Sequence, residues 1–347
     1  MRNSIYSLLT VLAVLAALVL IPPPMVYADG GFLFPQDAFM YEPVQRALID
    51  YDSENHTEHL SIQPGFRGDA RAFAWIVPVP NLPELTLADK QLFWDLDALT
   101  RPVHRSRDGD WDCWGNRGIY SPDYADGGFE IHSSQLVGYY QTLVLSATEA
   151  PELLEFLTTL GFLHEDNLES ATTIINDYVE RSWYFVAMQV DSTALAEINP
   201  GGYYGYYSGN LDPIRLAFAS DEIIYPMKIS AMSAADVSTV HLYVKTDHRM
   251  TFSGASTHYA NRFSAGELNE LSRFTSLRSI FQPGDFLTKL QRGYLPEQMV
   301  EDIILAQAAT DDEFHLIIYG GFPWTGILLI SMPVAVALKR RFWIRRE

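Results

Sequence analysis

Cysteine is almost absent from this sequence, since Cys113 is the single one among 347 residues. No disulfide bond can form within the chain, and neither a zinc ribbon nor a Cys-x-x-Cys redox pair is available. Basic side chains are also scarce, because 24 Lys and Arg stand against 43 Asp and Glu, for a formal net charge of −19. Nucleic acid requires a surface of the opposite sign, so this balance argues against a nucleic-acid partner.

Familiar catalytic patterns are missing as well. A serine hydrolase of the usual kind needs Gly-x-Ser-x-Gly, and the closest patches, Ser208-Gly209 and Ser253-Gly254, lack the flanking glycines. His56-Thr-Glu-His59 places its histidines three apart, whereas zinc proteases place them four apart on one helix face. This stretch is therefore predicted to be a solvated turn. No catalytic, cofactor-binding or metal-binding residue is assigned from sequence.

The first 28 residues have the pattern of a secretory signal. Arg2 is followed by an apolar core from Tyr6 to Ile21, then by three prolines and by Val26-Tyr27-Ala28. Those last three are small or tolerable residues at the positions that signal peptidase reads, which suits cleavage after Ala28. An uncleaved N-terminal anchor is the alternative interpretation of the same pattern.

The other end of the chain predicts a membrane anchor over residues 316–338. These 23 residues carry no formal charge, and Lys339, Arg340 and Arg341 follow at once. An apolar run of this length can cross a bilayer as a helix, here starting near residue 320, and the basic tail 339–347 is then expected in the cytoplasm. Phe314 to Tyr319 can also be read as the last strand of the outer part. Phe322 to Gly326 resembles a sortase signal, which leaves temporary anchoring open.

Between these ends, residues 29–315 are predicted to form an acidic extracytoplasmic α+β domain. Short runs rich in Val, Ile and aromatic residues, joined by short polar gaps, favour mostly antiparallel sheet with several packed helices. Two strand–acidic turn–strand segments, which start at Gln63 and Leu216, echo each other weakly. Two related β-rich halves with a boundary near 146–180 would explain the echo, and so would chance.

Two loop regions carry the strongest local hints of binding. Asp108, Asp110 and Asp112 alternate as Ca²⁺ ligands do, but a full calcium loop has Gly and Glu where Cys113 and Ile119 stand. A solvated acidic loop is the competing interpretation. Aromatic residues with nearby carboxylates can bind sugars or proteins, or can simply pack the loops onto the body. They are Trp111, Trp114, Tyr120, Tyr124, Tyr203, Tyr204, Tyr206 and Tyr207.

Several separate segments resemble one bacterial family of unknown function, DUF2330. They are Asp29-Gly30-Gly31-Phe32, FAWIVPVPNLPEL from Phe73, VGYYQTLVLSATEAPELLEFLTTLGF from Val137, YVERSWYFVAMQV from Tyr178, DPIRLAFASDEIIYPMKIS from Asp212 and FLTKLQRGYLPEQMVEDIIL from Phe286. The resemblance implies a secreted or membrane-anchored protein, and it transfers no activity and no catalytic residue. Many members carry Cys near the mature N-terminus, where this chain has Asp29.

The sequence thus favours a single-pass membrane protein whose outer domain is a binding or structural module of the cell envelope. Its expected partners are the membrane and an envelope protein or glycan, without a cofactor. The alternative is an envelope-associated hydrolase whose site is assembled from residues distant in sequence, because catalytic groups meet in space rather than along the chain.

Overall fold

A computed structural model describes residues 31–320, except for 39, 42–43, 71, 107–134, 139, 147–149, 164, 166, 191–206 and 233–236. The chain divides into two units. Of the described residues, the first unit contains those up to Thr100 and those from 135 to Phe314, and the second contains 101–106 and 315–320.

Strands dominate the described part of the chain. In chain order they are β1 Gly31–Leu33, β2 Met40–Tyr41, β3 Gln45–Asp52, β4 Thr57–Gln63, β5 Gly65–Gly68, β6 Phe73–Val79, β7 Glu84–Leu87, β8 Val103–Ser106, β9 Gln135–Val137, β10 Tyr140–Leu145, β11 Tyr184–Val190, β12 Tyr207–Asn210, β13 Ile214–Ala219, β14 Ile224–Tyr225, β15 Ser238–Thr246, β16 Met250–Thr251, β17 Ser256–Arg262, β18 Phe286–Tyr294, β19 Ile303–Ile304, β20 Ala306–Gln307, β21 Phe314–His315 and β22 Ile317–Gly320. The α-helices are α1 Leu92–Leu99, α2 Ala150–Thr159, α3 Leu168–Glu180 and α4 Ala265–Glu270. Three short 3₁₀ helices cover Lys228–Met232, Leu271–Arg273 and Pro296–Gln298.

Two large sheets share the main hydrophobic core. One has eight strands in the order β21-β17-β18-β15-β3-β4-β13-β7, and the other has five in the order β1-β6-β11-β10-β9. From β17 to β7 the neighbours are antiparallel, apart from β3 and β15, which run parallel. Side chains alternate across each strand, so Ile49 and Leu242 of the first sheet meet Trp75 and Val186 of the second. The predicted α+β class with mostly antiparallel sheet is confirmed.

Helices cover the outer face of each sheet. Leu153 of α2 and Ile175 of α3 pack against Ile76 and Phe185 of the five-stranded sheet. On the eight-stranded sheet, Leu96 of α1 packs in one cluster with Leu48 and Tyr243. Because β6 lies between the core and the helices, all of its residues from Phe73 to Val79 are buried, as its apolar composition predicts.

The described residues of the second unit form one small parallel ladder. Strand β8 pairs with β22, with Val103 opposite Ile317, and the Val103 N–H donates to the Leu316 carbonyl at 2.9 Å. Leu316 to Gly320 therefore begin the predicted anchor as extended chain, in line with the strand interpretation of Phe314 to Tyr319. No helix of the described residues is both long and apolar enough to span a bilayer. The predicted secretory signal, residues 1–28, lies outside the described residues. So do residues 321–338 of the predicted anchor, which include the sortase-like segment from Phe322 to Gly326, and the basic tail.

Three segments differ from the secondary structure that their sequence pattern predicts. The spacing of Leu87, Leu92 and Leu96 predicts a helix from Leu85 to Thr100, but the helix starts only at Leu92, because residues 84–87 pair with β13 as an edge strand. The apolar run from Ile223 to Ser230 predicts a strand, which shortens to two residues and is followed by a 3₁₀ helix.

The apolar run from Val137 to Leu145 predicts one strand. The structure interrupts it at Gly138, whose φ of 62° turns the chain between β9 and β10.

Candidate functional site

Four polar residues line up across the outer face of the eight-stranded sheet. In the strand register Arg46 of β3 lies opposite His241 of β15, His241 lies opposite Gln291 of β18, and Gln291 lies opposite Ser256 of β17. Residues paired in this way project from the same face of a sheet. Since neighbouring strands lie about 4.8 Å apart, the four residues span about 14 Å. We call them the polar row.

The polar row lies just beyond the helix that covers this face. Two to four residues along the same strands, Leu48, Tyr243 and Leu287 are buried with α1 and the chain after α4. Apolar side chains therefore fill the covered part of the face, and polar ones take over where the cover ends. Arg46 and His241 remain partly exposed there, and Ser256 is exposed.

A β-bulge brings a second histidine to this place. The register between β17 and β18 shifts between Thr257 and Tyr259, so His258 is the extra residue on β17. A bulge bends its strand and redirects the extra side chain. The His258 imidazole is close enough to both His241 and Lys289 for their charges to affect one another.

A cavity of about 330 Å³ adjoins the polar row and contains part of it. We call it the cleft, and its lining consists of Gly254, Ser256, His258, Gln291, Arg292, Gly293 and Gln298. No carboxylate belongs to that lining, so the paired carboxylates of a typical glycosidase are not assembled here.

Arg292 is fixed at the wall of the cleft by two contacts. Its Nη1 donates to the Ser253 carbonyl at 2.5 Å, and its guanidinium lies 4.2 Å from the centre of the Tyr294 ring. Gly254 makes room for it, because a Cβ at that position would lie 3.0 Å from the Arg292 Cζ. Gly254 also has a φ of 73°, a conformation that other residues adopt at a cost. The Ser253-Gly254 patch is thus a turn that positions an arginine.

Beside the cleft, Lys289 is held by a small buried network. Its Nζ donates to the Asp97 carboxylate of α1 at 2.9 Å and to the Thr100 hydroxyl at 3.2 Å. The Tyr243 hydroxyl donates to the same Asp97 oxygen at 2.5 Å. Burial raises the pKa of Asp97, but the Lys289 charge and these hydrogen bonds outweigh it, so the pKa stays below its usual value. The two hydrogen bonds of Lys289 therefore hold its ammonium group close to the polar row.

Both histidines of the site are neutral at pH 7. Burial lowers the pKa of His241 to about 4, with further lowering by Lys289, Arg46 and His258 and partial opposition from Asp97. Burial, followed by the Lys289 charge, also lowers the pKa of His258. Each neutral imidazole offers one N–H donor and one acceptor nitrogen.

The structure separates the residues of His56-Thr-Glu-His59. His56 lies in an exposed turn, with its Nδ1 3.4 Å from Asp221, while Glu58 and His59 follow on β4. Neighbouring residues of a strand face opposite sides, and Glu58 is fully buried, so the solvated turn predicted for this stretch is wrong at Glu58. Within the described ranges, no three His, Cys, Asp or Glu side chains are grouped so that they could hold a metal ion.

The loop candidates remain predictions. Asp108, Asp110 and Asp112, Cys113 and the aromatic residues Trp111, Trp114, Tyr120, Tyr124, Tyr203, Tyr204 and Tyr206 lie outside the described residues. Tyr207 is described only as the first residue of β12. Two further His–carboxylate contacts, His56–Asp221 and His248–Asp311, are on the exposed surface and do not line the cleft.

A family model that describes an uncharacterised protein conserved in bacteria, DUF2330, matches residues 27–306. The chain belongs to the DUF2330 family. The matched region includes every residue of the polar row and of the cleft lining. No curated protein matches the chain.

Two solved structures show a distant likeness to this DUF2330 protein. The crystal structure of baculovirus P35 is 10% identical over 82% of this chain and 99% of its own, with a TM-score of 0.37. A caspase-8/P35 complex is 8% identical over 80% of this chain and 95% of the matched chain, with a TM-score of 0.28. Both scores are too low to inform fold or function.

Proposed function

We propose that this protein is a membrane-anchored, extracytoplasmic ligand-binding module of the bacterial cell envelope, with the cleft and the polar row as its binding site. In this proposal residues 1–28 direct export, residues 316–338 anchor the chain through a helix that begins near residue 320, and residues 339–347 stay in the cytoplasm. The apolar ends, the basic tail and membership of a bacterial family support this placement.

The observation that carries the binding role is the continuity of the polar row with the cleft. Ser256 and Gln291 belong to both, so a ligand in the cleft lies alongside His241 and Arg46 as well. Ligand sites typically combine a concave surface with a few convergent polar groups. The lining supplies amide, hydroxyl, imidazole and guanidinium groups, which suits recognition of a polar envelope component.

Placement can be tested with an epitope after Glu347 in cells stripped of their outer layers. Added protease should degrade the body of the protein and leave the epitope on a short, protected fragment. If the body of the protein resists the protease, or if the epitope is lost although the cells are not lysed, the proposed topology is wrong.

Ligand binding can be tested by blocking the cleft. Purified full-length protein in detergent is heated with separated lipid, glycan and protein fractions of the envelope, and unfolding is followed by fluorescence. At least one fraction should raise the unfolding temperature of the wild type but not of Ser256→Trp. Thr86→Trp is the matched control, because Thr86 is also an exposed hydroxyl residue on an outer strand of the same sheet. Equal stabilisation of both variants would remove the cleft as the site.

A further inference from the structure

Positively charged side chains surround the polar row, although the chain as a whole is acidic. The protein carries a formal net charge of −19, yet Arg46 and Lys289 lie at the polar row, Arg292 lines the adjoining cleft, and the carboxylate whose charge acts on His241 is that of Asp97. Charged side chains in a cleft create a local potential that selects ligands of the opposite sign. An acidic protein with a cationic cleft is suited to hold an anion there.

The three basic side chains differ in whether their N–H donors already have hydrogen-bond partners within the protein. Lys289 is used by Asp97 and Thr100, and one Nη of Arg292 is used by the Ser253 carbonyl. Arg46 is different, because no hydrogen bond or ion pair joins its guanidinium to any residue in the described part of the chain. A guanidinium has five N–H donors in a fork that fits two oxygens of one anion.

Beside Arg46, the imidazoles of His241 and His258 add donors on the same face. Neither ring has a hydrogen-bond partner among the described residues. His241 lies directly opposite Arg46 in the register, and His258 reaches the cleft through the bulge. The set therefore runs from Arg46 through His241 to His258 along one face of the sheet and into the cleft.

We infer that the ligand of this site carries an oxyanion, a phosphate or carboxylate group, whose oxygens accept from the N–H donors of the Arg46 guanidinium and also from the imidazole N–H groups of His241 and His258. This inference rests on the proposed binding function and names the chemical class of the ligand. Gln291 and Ser256 then contact the neutral part of the ligand in the cleft, and Lys289 contributes its charge without direct contact.

Direct titration of the full-length protein tests the inference. Calorimetry in detergent is run with inorganic phosphate, glycerol phosphate and acetate, so that the arms separate the free ion, the ester and the carboxylate. At least one should bind the wild type, and Arg46→Gln should weaken that binding about tenfold or more, as loss of a charge-assisted pair implies. Arg273→Gln is the matched control, since Arg273 is an exposed arginine over the Phe274 ring, and it should bind like the wild type.

A second readout requires no variant that could fail to fold. With histidines labelled at Cε1, NMR follows the pKa of His241 and His258 with and without the bound anion. A negative charge beside them should raise both values, whereas binding elsewhere leaves them unchanged. Unchanged values in saturating phosphate and acetate would overturn the inference.

The binding and unfolding experiments together distinguish failure of the anion inference from failure of the proposed binding function. If neutral envelope glycans stabilise the wild type but not Ser256→Trp, and no oxyanion binds, the module remains and the ligand class is wrong. If an oxyanion binds equally well to Arg46→Gln, the anion site lies elsewhere and the inference is also wrong. If no oxyanion binds the wild type and no envelope fraction raises its unfolding temperature, both the inference and the proposed function are wrong.

Discussion

The Nζ of Lys289 lies 2.9 Å from the carboxylate of Asp97 and joins the centre of the eight-stranded sheet to the helix that covers it. The two side chains are unequally buried, because 8% of Lys289 and 39% of Asp97 is exposed. The ammonium therefore depends on its partner more than the carboxylate does. This inequality makes the contact testable by removing each partner in turn.

Asp97→Asn should destabilise the fold more than Lys289→Met. The first change leaves a buried ammonium without a counter-charge and should cost about 3 kcal/mol, whereas the second leaves a carboxylate that water reaches and should cost about 1 kcal/mol. Urea unfolding at pH 7 measures both. Lys90→Met, which breaks the more exposed bridge to Asp212, is the control and should cost about 0.5 kcal/mol. Equal losses for Asp97→Asn and Lys289→Met would contradict the expectation.

The ion pair of Asp97 and Lys289 should also make the stability of the fold depend on pH in the acid range. Because the pKa of Asp97 is lower in the folded protein than its ordinary value, the carboxylate stabilises the fold fully above pH about 4. That contribution is lost as the pH falls through the lowered pKa. Wild type should therefore lose more stability than Asp97→Asn between pH 5 and strongly acidic conditions, as measured by urea unfolding at each pH.

Glu58→Gln should stabilise the protein at pH 8. Glu58 is fully buried on β4, and its Oε2 accepts from the Ile224 N–H at 2.9 Å, while its Oε1 has no partner among the described residues. Burial raises the pKa of this carboxyl well above its usual value. The neutral form is thus compatible with the fold, and stability is lost as the pH rises from about 4.5 through the raised pKa.

The glutamine variant removes that loss, so its advantage over wild type should grow between pH 5 and pH 8 in urea unfolding. Glu267→Gln is the opposite control. Glu267 completes the capping box of α4 with Ser264, and hydrogen bonds from Ser264 lower its pKa. Its replacement should therefore reduce stability at pH 8, and this loss should fade as the pH falls from about 4.5 through the lowered pKa. An advantage of Glu58→Gln that is the same at every pH would contradict a titrating carboxyl.

Gly254→Ala should cost more than Gly161→Ala. The two glycines have nearly the same φ, 73° and 72°, so an alanine bears the same backbone cost of about 1 kcal/mol at either position. A Cβ at Gly161 meets nothing within 4 Å, whereas one at Gly254 meets Arg292 at 3.0 Å. Displacing Arg292 should add about 1 kcal/mol. Thermal unfolding of both variants measures the difference, and equal costs would show that Arg292 moves freely.

Tyr178→Phe should destabilise the packing of α3 by about 2 kcal/mol. The Tyr178 hydroxyl donates to Asp302 at 2.6 Å and accepts from the Ile229 N–H at 3.1 Å. Phenylalanine keeps the ring contact with Trp183 and removes only these hydrogen bonds. Tyr51→Phe is the control, because its hydroxyl donates to Ser220 near the surface, and it should cost less than 1 kcal/mol in the same urea titration. Equal losses would mean that burial of the hydroxyl does not set its contribution.

Much of the local structure could be predicted from sequence. The apolar run at Phe73 predicts a strand buried on both faces, Ser264 followed by Glu267 predicts a capping box at the start of a helix, and the structure contains both. These features depend on residues close together in the chain. The segment from Leu85 has the helical spacing of α1 and predicts a helix, whereas pairing with β13, which lies far away in the sequence, makes residues 84–87 extended.

The candidate site could not be predicted in this way. Arg46, His241, Ser256 and Gln291 come from four distant segments, and the order of the strands brings them together. One signal was present, since alternation in β15 places His241 on the same side as Tyr243 and Lys245. The bulge that redirects His258 leaves no mark in the sequence that separates it from an ordinary strand residue.

The parallel pairing of β3 with β15 has a consequence for the order of assembly. Ile49 of β3 pairs with Val244 of β15, which follows almost 200 residues later in the chain. During synthesis, one edge of β3 therefore has no partner until those residues have been made. Contacts between such distant segments slow folding to the order of milliseconds to seconds. Truncated chains that end before Ser238 expose an apolar strand edge and are prone to aggregate. Closure of the eight-stranded sheet therefore depends on synthesis of the chain through β15 rather than on any early local element.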